Sequence, residues 1–371
     1  MSFTLKGSPY PSLWLALPRT IEQWSLPGGD ETFADPLWRK LHNFFKERGY
    51  ILWIPFGLSY LGSPRELQPT CNGFAFAPVH RGWGEGSRIR QLSEIHCPNA
   101  MLRAARTADG RDVVIRVICV GSEGQNQLEV LKCMARGPYS QATPNHAIPL
   151  FELFELEDIT FGIFPRVGFS VADAYDSWAE NSVGDVIDMV LQCLEALAFL
   201  HSMNIAHRDA FKDNFLVQWH PESLATNQLT ISRPRVFLHD FETAVRFNVD
   251  VPPHARTCTG LPLCPSFALP ERYFRPVPPE VSSGNPYDPF ELDVWQFGIS
   301  LIDFRTRMQE IDDVLAEMIA DDPSKRQSAF EALTDLARVV RSMPSDRLNI
   351  APIDVDDLMS CRPSPPPSSL P

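Results

Sequence analysis

The sequence predicts an α+β fold built from two unequal parts. Short apolar runs bounded by turn residues, such as Val113–Val120, fill the first half, and this pattern indicates strands. From about Val171 the apolar spacing becomes helical, and no internal repeat interrupts the change. Strands followed by helices are typical of the α+β class. We therefore expect a smaller strand-rich lobe followed by a larger helical lobe.

The first lobe is predicted over residues 36–167, after an irregular segment at 1–35. A helix should begin at Asp35-Pro36, because an acceptor cap precedes a proline at the first helical position, and it should end at Gly49. Met101–Arg106 and Val113–Val120 are expected to form a hairpin. The other predicted elements are a helix at Gln125–Met134 and strands at Tyr50–Phe56, Ile148–Glu157 and Ile159–Val167.

The second lobe is predicted over residues 168–345. Its clearest element is the helix Val183–Met203, where Ser182 and Asp185 match a capping box at the start. Residues 346–371 are first acidic and then rich in proline and serine, so a disordered tail is expected there.

Composition limits the function classes. The chain has 371 residues, is 44% hydrophobic and has a formal net charge of −13. An acidic protein lacks the bulk positive charge that favours nucleic acid or anionic membrane, so neither is expected as a partner. No signal-peptide pattern and no apolar run of about 18 residues is present, and the 8 cysteines form no C-x-x-C pair. These features favour an intracellular protein, cytoplasmic or nuclear.

Acidic and amide side chains follow two predicted strands of the second lobe. The loop His207-Arg208-Asp209 precedes Asn214 and a short apolar strand, and a second strand leads to Asp240. Adjacent loops would bring Asp209, Asn214 and Asp240 together. One carboxylate that orients a hydroxyl, with a carboxylate and an amide oxygen that hold Mg²⁺, is what metal-assisted phosphoryl transfer requires.

These residues resemble motifs of the protein kinase superfamily. His207-Arg208-Asp209 with Asn214 resembles the catalytic loop, and Asp240-Phe241 resembles the start of the D-F-G segment. Later markers keep the order of the family: Pro278-Pro279-Glu280 resembles A-P-E, Asp293–Gly298 resembles D-x-W-x-x-G, and Asp322–Arg326 resembles the late arginine motif. Glu271 is a second candidate for the A-P-E glutamate, but the spacing favours Glu280. The amino-acid sequences of these motifs are similar to those of kinase-like proteins found in fungi.

The resemblance implies a bilobal protein-kinase-like fold with a small β-rich lobe and a larger helical lobe. It implies ATP and Mg²⁺ as cofactors and a protein as substrate or partner. The implied catalytic residues are Asp209, Asn214 and Lys212, and the implied metal ligands are Asn214 and Asp240. Arg116 and Gln127 occupy the implied cofactor-binding positions.

The nucleotide-binding lobe departs from the family pattern at three places. Val113–Arg116 stands where the family has V-A-I-K, so arginine replaces the phosphate-binding lysine. Gln127 occupies the position of the ion-pair glutamate, unless a different helix register brings in Glu123 or Glu129. Residues 91–100, where the glycine-rich loop is expected, contain no glycine, and Gly82–Gly86 is interpreted as a surface turn because it lies far from Arg116.

Two departures concern the second lobe. Glu242 replaces the glycine that follows Asp240-Phe241, which removes a flexible position but leaves the carboxylate in place. Lys212 stands three residues after Asp209, whereas the family pattern has its lysine two residues after.

Three functions remain open from sequence. The first is weak ATP- and Mg²⁺-dependent phosphoryl transfer to serine or threonine of a protein. The second is a catalytically inactive pseudokinase that acts as a scaffold or regulator, which the three losses around the phosphates favour. The third is a small-molecule kinase, a class in which D-x-E matches Glu242, although Arg208 and the Glu280 and Arg326 pair resemble protein kinases.

Overall fold

The computed structural model describes residues 11–26, 34–55, 60–64, 94–97, 99–167, 169–174, 182–218 and 233–353. Over these ranges the chain is α+β, as the sequence predicts, with a strand-rich N-terminal region and a helix-rich C-terminal region. Among the described residues, no helix combines the length and apolarity that a membrane span requires.

The N-terminal region extends to Pro165. Its helices are α1 (Pro11–Leu15), α2 (Ile21–Ser25), α3 (Ala34–Lys46) and α4 (Gln125–Leu131). Its strands are β1 (Tyr50–Leu52), β2 (Ile54–Pro55), β3 (Tyr60–Gly62), β4 (Glu94–His96), β5 (Leu102–Thr107), β6 (Asp112–Val120), β7 (Glu152–Leu156) and β8 (Ile159–Pro165).

The C-terminal region begins with short elements around one long helix. Its strands are β9 (Phe169–Ser170), β10 (Ile205–Ala206), β11 (Phe215–Gln218), β12 (Arg235–Leu238) and β13 (Val245–Arg246). Its helices are α5 (Val171–Asp173), α6 (Val183–Ser202), α7 (Pro279–Ser282), α8 (Pro289–Ser300), α9 (Gln309–Glu317), α10 (Ala329–Ser342) and α11 (Ser345–Leu348).

A five-stranded antiparallel sheet of order β1-β5-β6-β8-β7 organises the N-terminal region. The central strand β6 pairs Arg116 with Leu102 on one side and with Gly162 on the other. Side chains alternate along a strand, so Ile115 and Val117 point into the core formed with α2 and α3, while Arg116 points to the opposite face. The predicted hairpin is confirmed as β5 and β6.

The sheet order bears on the distance argument used for the glycines upstream. Strands β1 and β5 are neighbours, so residues 53–101 form the connection between two adjacent strands. A long separation from Arg116 does not therefore by itself remove Gly82–Gly86 from this connection, but these glycines lie outside the described residues, and their interpretation as a surface turn stays a prediction. Directly before Met101, Glu94–His96 is a strand that pairs with β3 in a separate three-stranded sheet.

Within residues 11–26 the chain forms two short helices, α1 and α2, which corrects the prediction of an irregular segment throughout. Thr20 Oγ1 accepts a hydrogen bond from Gln23 N and so caps the start of α2. Ile21 and Trp24 are buried against the sheet, with the Trp24 ring 6.2 Å from the ring of Phe161. Tertiary packing orders these short helices, and the sequence pattern of so few residues does not reveal it.

Helix α6 lies at the centre of the C-terminal core, and its predicted capping box is confirmed between Ser182 and Asp185. The predicted boundary at residue 346 needs correction. Val183 N donates to the carbonyl of Ile350 at 2.8 Å, and Leu348 and Ile350 pack against the same core. The chain therefore belongs to the C-terminal region at least to Ile350, because it satisfies the first amide of α6.

Candidate functional site

The loop that carries Asp209 is held by one buried carboxylate. Asp293, on α8, accepts hydrogen bonds from His207 N at 2.7 Å, from Arg208 N at 2.6 Å and from His201 Nε2 at 2.9 Å. The Asp293 side chain is fully buried. Buried carboxylates need such partners, so α8 and α6 together fix the path of the loop.

A second side chain of α8 holds the next residues of the loop. Gln296 Oε1 accepts from Ala210 N and Gln296 Nε2 donates to the carbonyl of Arg208, both at 2.9 Å. Between these contacts Arg208 has a φ of 66°, in the left-handed region. Such a conformation costs free energy in a residue other than glycine and persists only where neighbours impose it.

Asp209 and Asn214 meet directly. Asn214 Nδ2 donates to the carbonyl and to Oδ2 of Asp209, each at 2.7 Å. The amide oxygen of Asn214 is therefore the atom left for another ligand. Burial raises the pKa of Asp209 above its ordinary value, although the nearby Arg275 guanidinium opposes this shift.

Asp240 reaches the same place from β12. The β11 and β12 pairing sets Phe215 opposite Leu238, and His239 N donates to the carbonyl of Asn214 at 3.1 Å. Asp240 itself has a φ of 63°. The next residue, Phe241, is buried with its ring 5.1 Å from the His207 ring, which anchors the turn to the loop that carries Asp209.

Arg116 contacts both acidic residues of the Asp240-Phe241-Glu242 turn. Its Nη2 lies 2.7 Å from Asp240 Oδ1 and 2.7 Å from Glu242 Oε1. The exposed fractions of the three side chains are 16%, 29% and 8%, so this is a largely buried cluster that joins the two regions. Burial alone would raise the pKa of Asp240, but the Arg116 guanidinium together with the neighbouring His239 and His207 outweighs burial and holds that pKa below its ordinary value.

Glu242 extends this cluster into the rest of the segment between Asp240 and Glu280, here named the 240–280 segment. Its second oxygen, Oε2, accepts hydrogen bonds from Ser266 Oγ and from Cys264 Sγ. Glu242 therefore links Arg116 to the 240–280 segment. The sequence interpreted Glu242 as a lost glycine and as a match to the D-x-E of small-molecule kinases, and the nearby Asp240 and the arginine at the lysine position were the signals that could have indicated this pairing.

Gln127 faces the cleft between the two regions. It is buried on α4, and together with His96, Arg116, His239 and Asp240 it forms the polar part of a cleft of about 180 Å³. The remaining walls are mostly apolar: Ile95, Leu102, Val114, Leu131, Ile148, Phe164, Val167 and Leu216. Glu129 is exposed, and Glu123 Oε2 accepts from Ile21 N, so neither glutamate replaces Gln127 beside Arg116.

The structure does not place Lys212 at Asp209. Lys212 Nζ lies 3.0 Å from Asp303 Oδ2, because a spacing of three residues turns the side chain toward the end of α8. The cation at Asp209 is Arg275 of the 240–280 segment, whose Nε lies 3.4 Å from Asp209 Oδ1. Sequence reasoning missed Arg275, since no motif marks it.

Arg275 is held in place by two further contacts. Its Nη1 and Nη2 donate to the two carboxylate oxygens of Asp213, at 3.1 and 2.6 Å. Its guanidinium also lies over the ring of Phe211, 4.7 Å from the ring centroid. The 240–280 segment is thereby bound to the loop that carries Asp209.

The far end of that segment is fixed by Glu280 and Arg326. Arg326 donates to both carboxylate oxygens of Glu280, with Nη2 at 3.1 Å from Oε2, and the Arg326 side chain is fully buried. This contact confirms the choice of Glu280, since Glu271 lies exposed in a short 3₁₀ turn.

The arrangement fits Mg²⁺ and ATP poorly. Oδ1 of Asp240 is bonded to Arg116, and a cleft of about 180 Å³ is smaller than the ~300 Å³ at the lower end of ligand pockets. Asn214 contacts Asp209, whereas Arg116 and Asp240, the residues implied for phosphate and metal, are bonded to each other.

Comparison with known proteins gives partial support for the resemblance. No family model matches the chain. A stretch of 112 residues, 30% of this chain, is 32% identical to part of the serine/threonine-protein kinase PAK mbt of Drosophila melanogaster. The match spans only 13% of that protein. It suggests a distant kinase-like relation over this stretch.

Proposed function

We propose that this protein is a bilobal kinase-like binding module, a pseudokinase that regulates or scaffolds a protein partner and does not turn over ATP. The observation that carries the proposal is the pairing of the Arg116 guanidinium with Asp240 and Glu242 at 2.7 Å. Phosphoryl transfer of the kinase type needs the carboxylate of this turn for Mg²⁺. Here an internal cation neutralises it instead.

The chemistry of arginine makes this pairing hard to displace. A guanidinium is always charged, is weakly hydrated and presents several donors in one plane, so it can bind two carboxylates at once. Glu242 supplies the second carboxylate at the position where the family has glycine. A divalent cation would have to break both ion pairs in a largely buried place, where losing a partner is costly.

One observation favours a second candidate, weak ATP- and Mg²⁺-dependent phosphoryl transfer to protein serine or threonine. Asn214 holds Asp209 through two hydrogen bonds of 2.7 Å, and Asp293 holds the loop that carries both. If ATP and Mg²⁺ displaced Arg116, Asp209 would already be placed to orient a hydroxyl. In this candidate Asn214 and Asp240 would hold the metal.

Thermal unfolding with ATP, with and without Mg²⁺, separates the two candidates. A ligand that binds the folded state raises the melting temperature by mass action. For a pseudokinase we expect no Mg²⁺-dependent rise in the wild type. A rise that requires Mg²⁺ and disappears in Asp240→Asn would overturn the proposal in favour of the second candidate.

Two further variants sharpen this experiment. Arg116→Lys replaces the fork by a single ammonium, so it tests whether the arginine alone prevents cation-dependent binding. Radiolabel transfer from ATP to a general protein substrate, compared between wild type and Asp209→Asn, tests turnover directly. Transfer that is lost in Asp209→Asn would contradict the pseudokinase proposal.

A further inference from the structure

The short helix α2 contacts three parts of the molecule that are distant in sequence. Isolated helices of five residues are unstable in water, so packing must hold α2 in place. Trp24 is completely buried and lies 6.3 Å from Trp38 and 6.2 Å from Phe161, measured between ring centroids. The carbonyl of Trp24 also accepts from Ala100 N at 3.1 Å, which ties α2 to the residues before β5.

The first turn of α2 contacts the start of α4. Ile21 N donates to Glu123 Oε2 at 2.7 Å. Gly124 precedes α4 with a φ of 81°, and a Cβ added there would lie 2.0 Å from the carbonyl oxygen of Ile118 and 2.9 Å from Ile21 Cδ1. The backbone at the start of α4 therefore lies close to Ile21 of α2, and a larger residue at position 124 would clash with the carbonyl of Ile118.

The opposite side of α2 contacts the 240–280 segment. Ser25 Oγ donates to the carbonyl of Ser266 at 2.8 Å, and Arg272 Nη1 lies 3.1 Å from Glu22 Oε1. Ser266 is also the residue whose hydroxyl donates to Glu242, the partner of Arg116. Contacts thus run without a gap from α2 through Ser266 and Glu242 to the cleft.

We propose that Thr20–Ser25, here named the N-terminal clamp, holds the 240–280 segment in the position that keeps Arg116 engaged with Glu242. The clamp is bound to the N-terminal sheet by Trp24 and to the C-terminal region by Glu22 and Ser25. When the contacts of Ser25 and Glu22 with the segment are lost, Ser266 is no longer bound to α2. Its hydrogen bond to Glu242 then weakens, and so does the contact between Glu242 and Arg116 at the cleft. The proposal concerns the conformation of the cleft and stands whether or not ATP is turned over.

The double variant Glu22→Gln with Ser25→Ala tests the clamp without touching its buried anchor. Both side chains lie at the surface of α2, so the fold should persist, which an unchanged melting temperature within a few degrees will show. Hydrogen exchange over residues 261–275 is then compared with the wild type. We expect exchange about three- to tenfold faster, the factor that corresponds to one hydrogen bond and one exposed ion pair.

Gln23→Ala is the matched control. Gln23 lies on the same helix, but its side chain accepts from Arg19 N, and among the described residues no hydrogen bond or ion pair joins it to the 240–280 segment. Its exchange pattern over residues 261–275 should equal that of the wild type. Equal exchange in the double variant and the wild type, or the same increase in Gln23→Ala, would overturn the proposal.

A second measurement tests whether the effect reaches the cleft. Phenylglyoxal modification of Arg116, followed by peptide mass spectrometry, reports how well its guanidinium is covered, and the exposed Arg338 provides an internal reference. We expect severalfold faster modification of Arg116 in the double variant and no further increase when Glu242→Gln is added. Additive increases, or an unchanged Arg116 rate, would contradict transmission through Glu242.

Discussion

Different kinds of contacts hold the loop of Asp209 and the side chain of Arg116 in place. Backbone amides of His207 and Arg208 donate to a buried carboxylate from another helix of the same region. Arg116 is instead held by two carboxylates of the opposite region. The loop is therefore part of the folding core, whereas the position of Arg116 depends on how the two regions meet.

This difference shows which residues of the kinase-like motifs support the fold and which lie at the candidate site. Three residues of the kinase-like motifs, Asp293, Glu280 and Arg326, make buried contacts that support the fold. Arg116 and Asp240, which the resemblance assigns to phosphate and metal, are bonded to each other. A fold can keep its frame while its site changes, because frame and site depend on different residues.

Removal of the Asp293 carboxylate should have the largest effect. Asp293→Ala leaves the amides of His207 and Arg208 buried without an acceptor, and we expect a loss of about 3–5 kcal/mol in the free energy of unfolding. Chemical denaturation measures it. Asp303→Ala is the control, since its pair with Lys212 is half exposed and should be worth no more than about 1 kcal/mol. Equal losses of stability in Asp293→Ala and Asp303→Ala would contradict the larger structural role of the buried Asp293 carboxylate.

Replacement of Arg116 should reduce the free energy of unfolding by less than replacement of Asp293. Arg116→Gln leaves Asp240 and Glu242 side by side without their cation, and we expect a loss of about 1–3 kcal/mol. The free energy of unfolding of Arg116→Lys should lie between those of Arg116→Gln and the wild type, because a single ammonium group replaces the planar guanidinium. Denaturation curves of the three proteins give the order. A loss from Arg116→Gln as large as that from Asp293→Ala would show that both contacts belong to one folding core.

The pH dependence of stability separates two groups next to the cleft. Burial lowers the pKa of His239 to about 4 from an ordinary value of 6.5, so the unfolded state binds a proton first as the pH falls. Stability should therefore decrease from about pH 6.5 to about pH 4, and His239→Gln should flatten this window. Melting temperatures across this range measure it, and an unchanged slope in His239→Gln would be contrary to expectation.

Asp240 acts in the same direction at lower pH. Arg116 holds its pKa below the ordinary value, so the stability that the ion pair provides is present at neutral pH and is lost as the pH falls through the folded-state pKa. Asp240→Asn should remove this acid-dependent part, and because the Asp240 carboxylate raises the pKa of His239, the variant should extend the His239 window to lower pH. Persistence of the full acid loss in Asp240→Asn would assign it to other carboxylates.

Much of the fold was predictable because it is encoded locally. The β5 and β6 hairpin follows from alternation around a turn, and the start of α6 follows from Ser182 and Asp185. The helices α1 and α2 were not predicted, and α2 is held by Trp24, which packs on Phe161, a residue far along the chain. The pairing of β1 with β5 across the connection 53–101 was not predicted either, because strand order is a long-range property.

The candidate site was predictable only where motifs mark it. The placement of Asn214 against Asp209 and of Asp240 beside it followed from short spacing and adjacent strands. Arg275 was not predictable, because its contact with Asp209 depends on the path of the 240–280 segment. The pairing of Arg116 with Glu242 likewise joins residues whose proximity only the assembled regions reveal.

The smallest effect is expected from Asp209→Asn, and its sign is opposite to that of the other variants. Burial raises the pKa of Asp209, which means that the folded protein disfavours the ionised form. An amide removes that charge at neutral pH while it still offers an oxygen to Asn214. We expect a rise in melting temperature of about 1–3 °C.

The matched variant is Asp213→Asn, which removes a more exposed carboxylate that binds the same arginine, Arg275. It should lower or leave unchanged the melting temperature, since its charge is hydrated and paired. A fall in Asp209→Asn equal to that in Asp213→Asn would mean that the pair with Arg275 outweighs burial. A rise in Asp209→Asn alone would mark a carboxylate that the fold retains at a cost in stability, as expected for a residue placed for binding or chemistry.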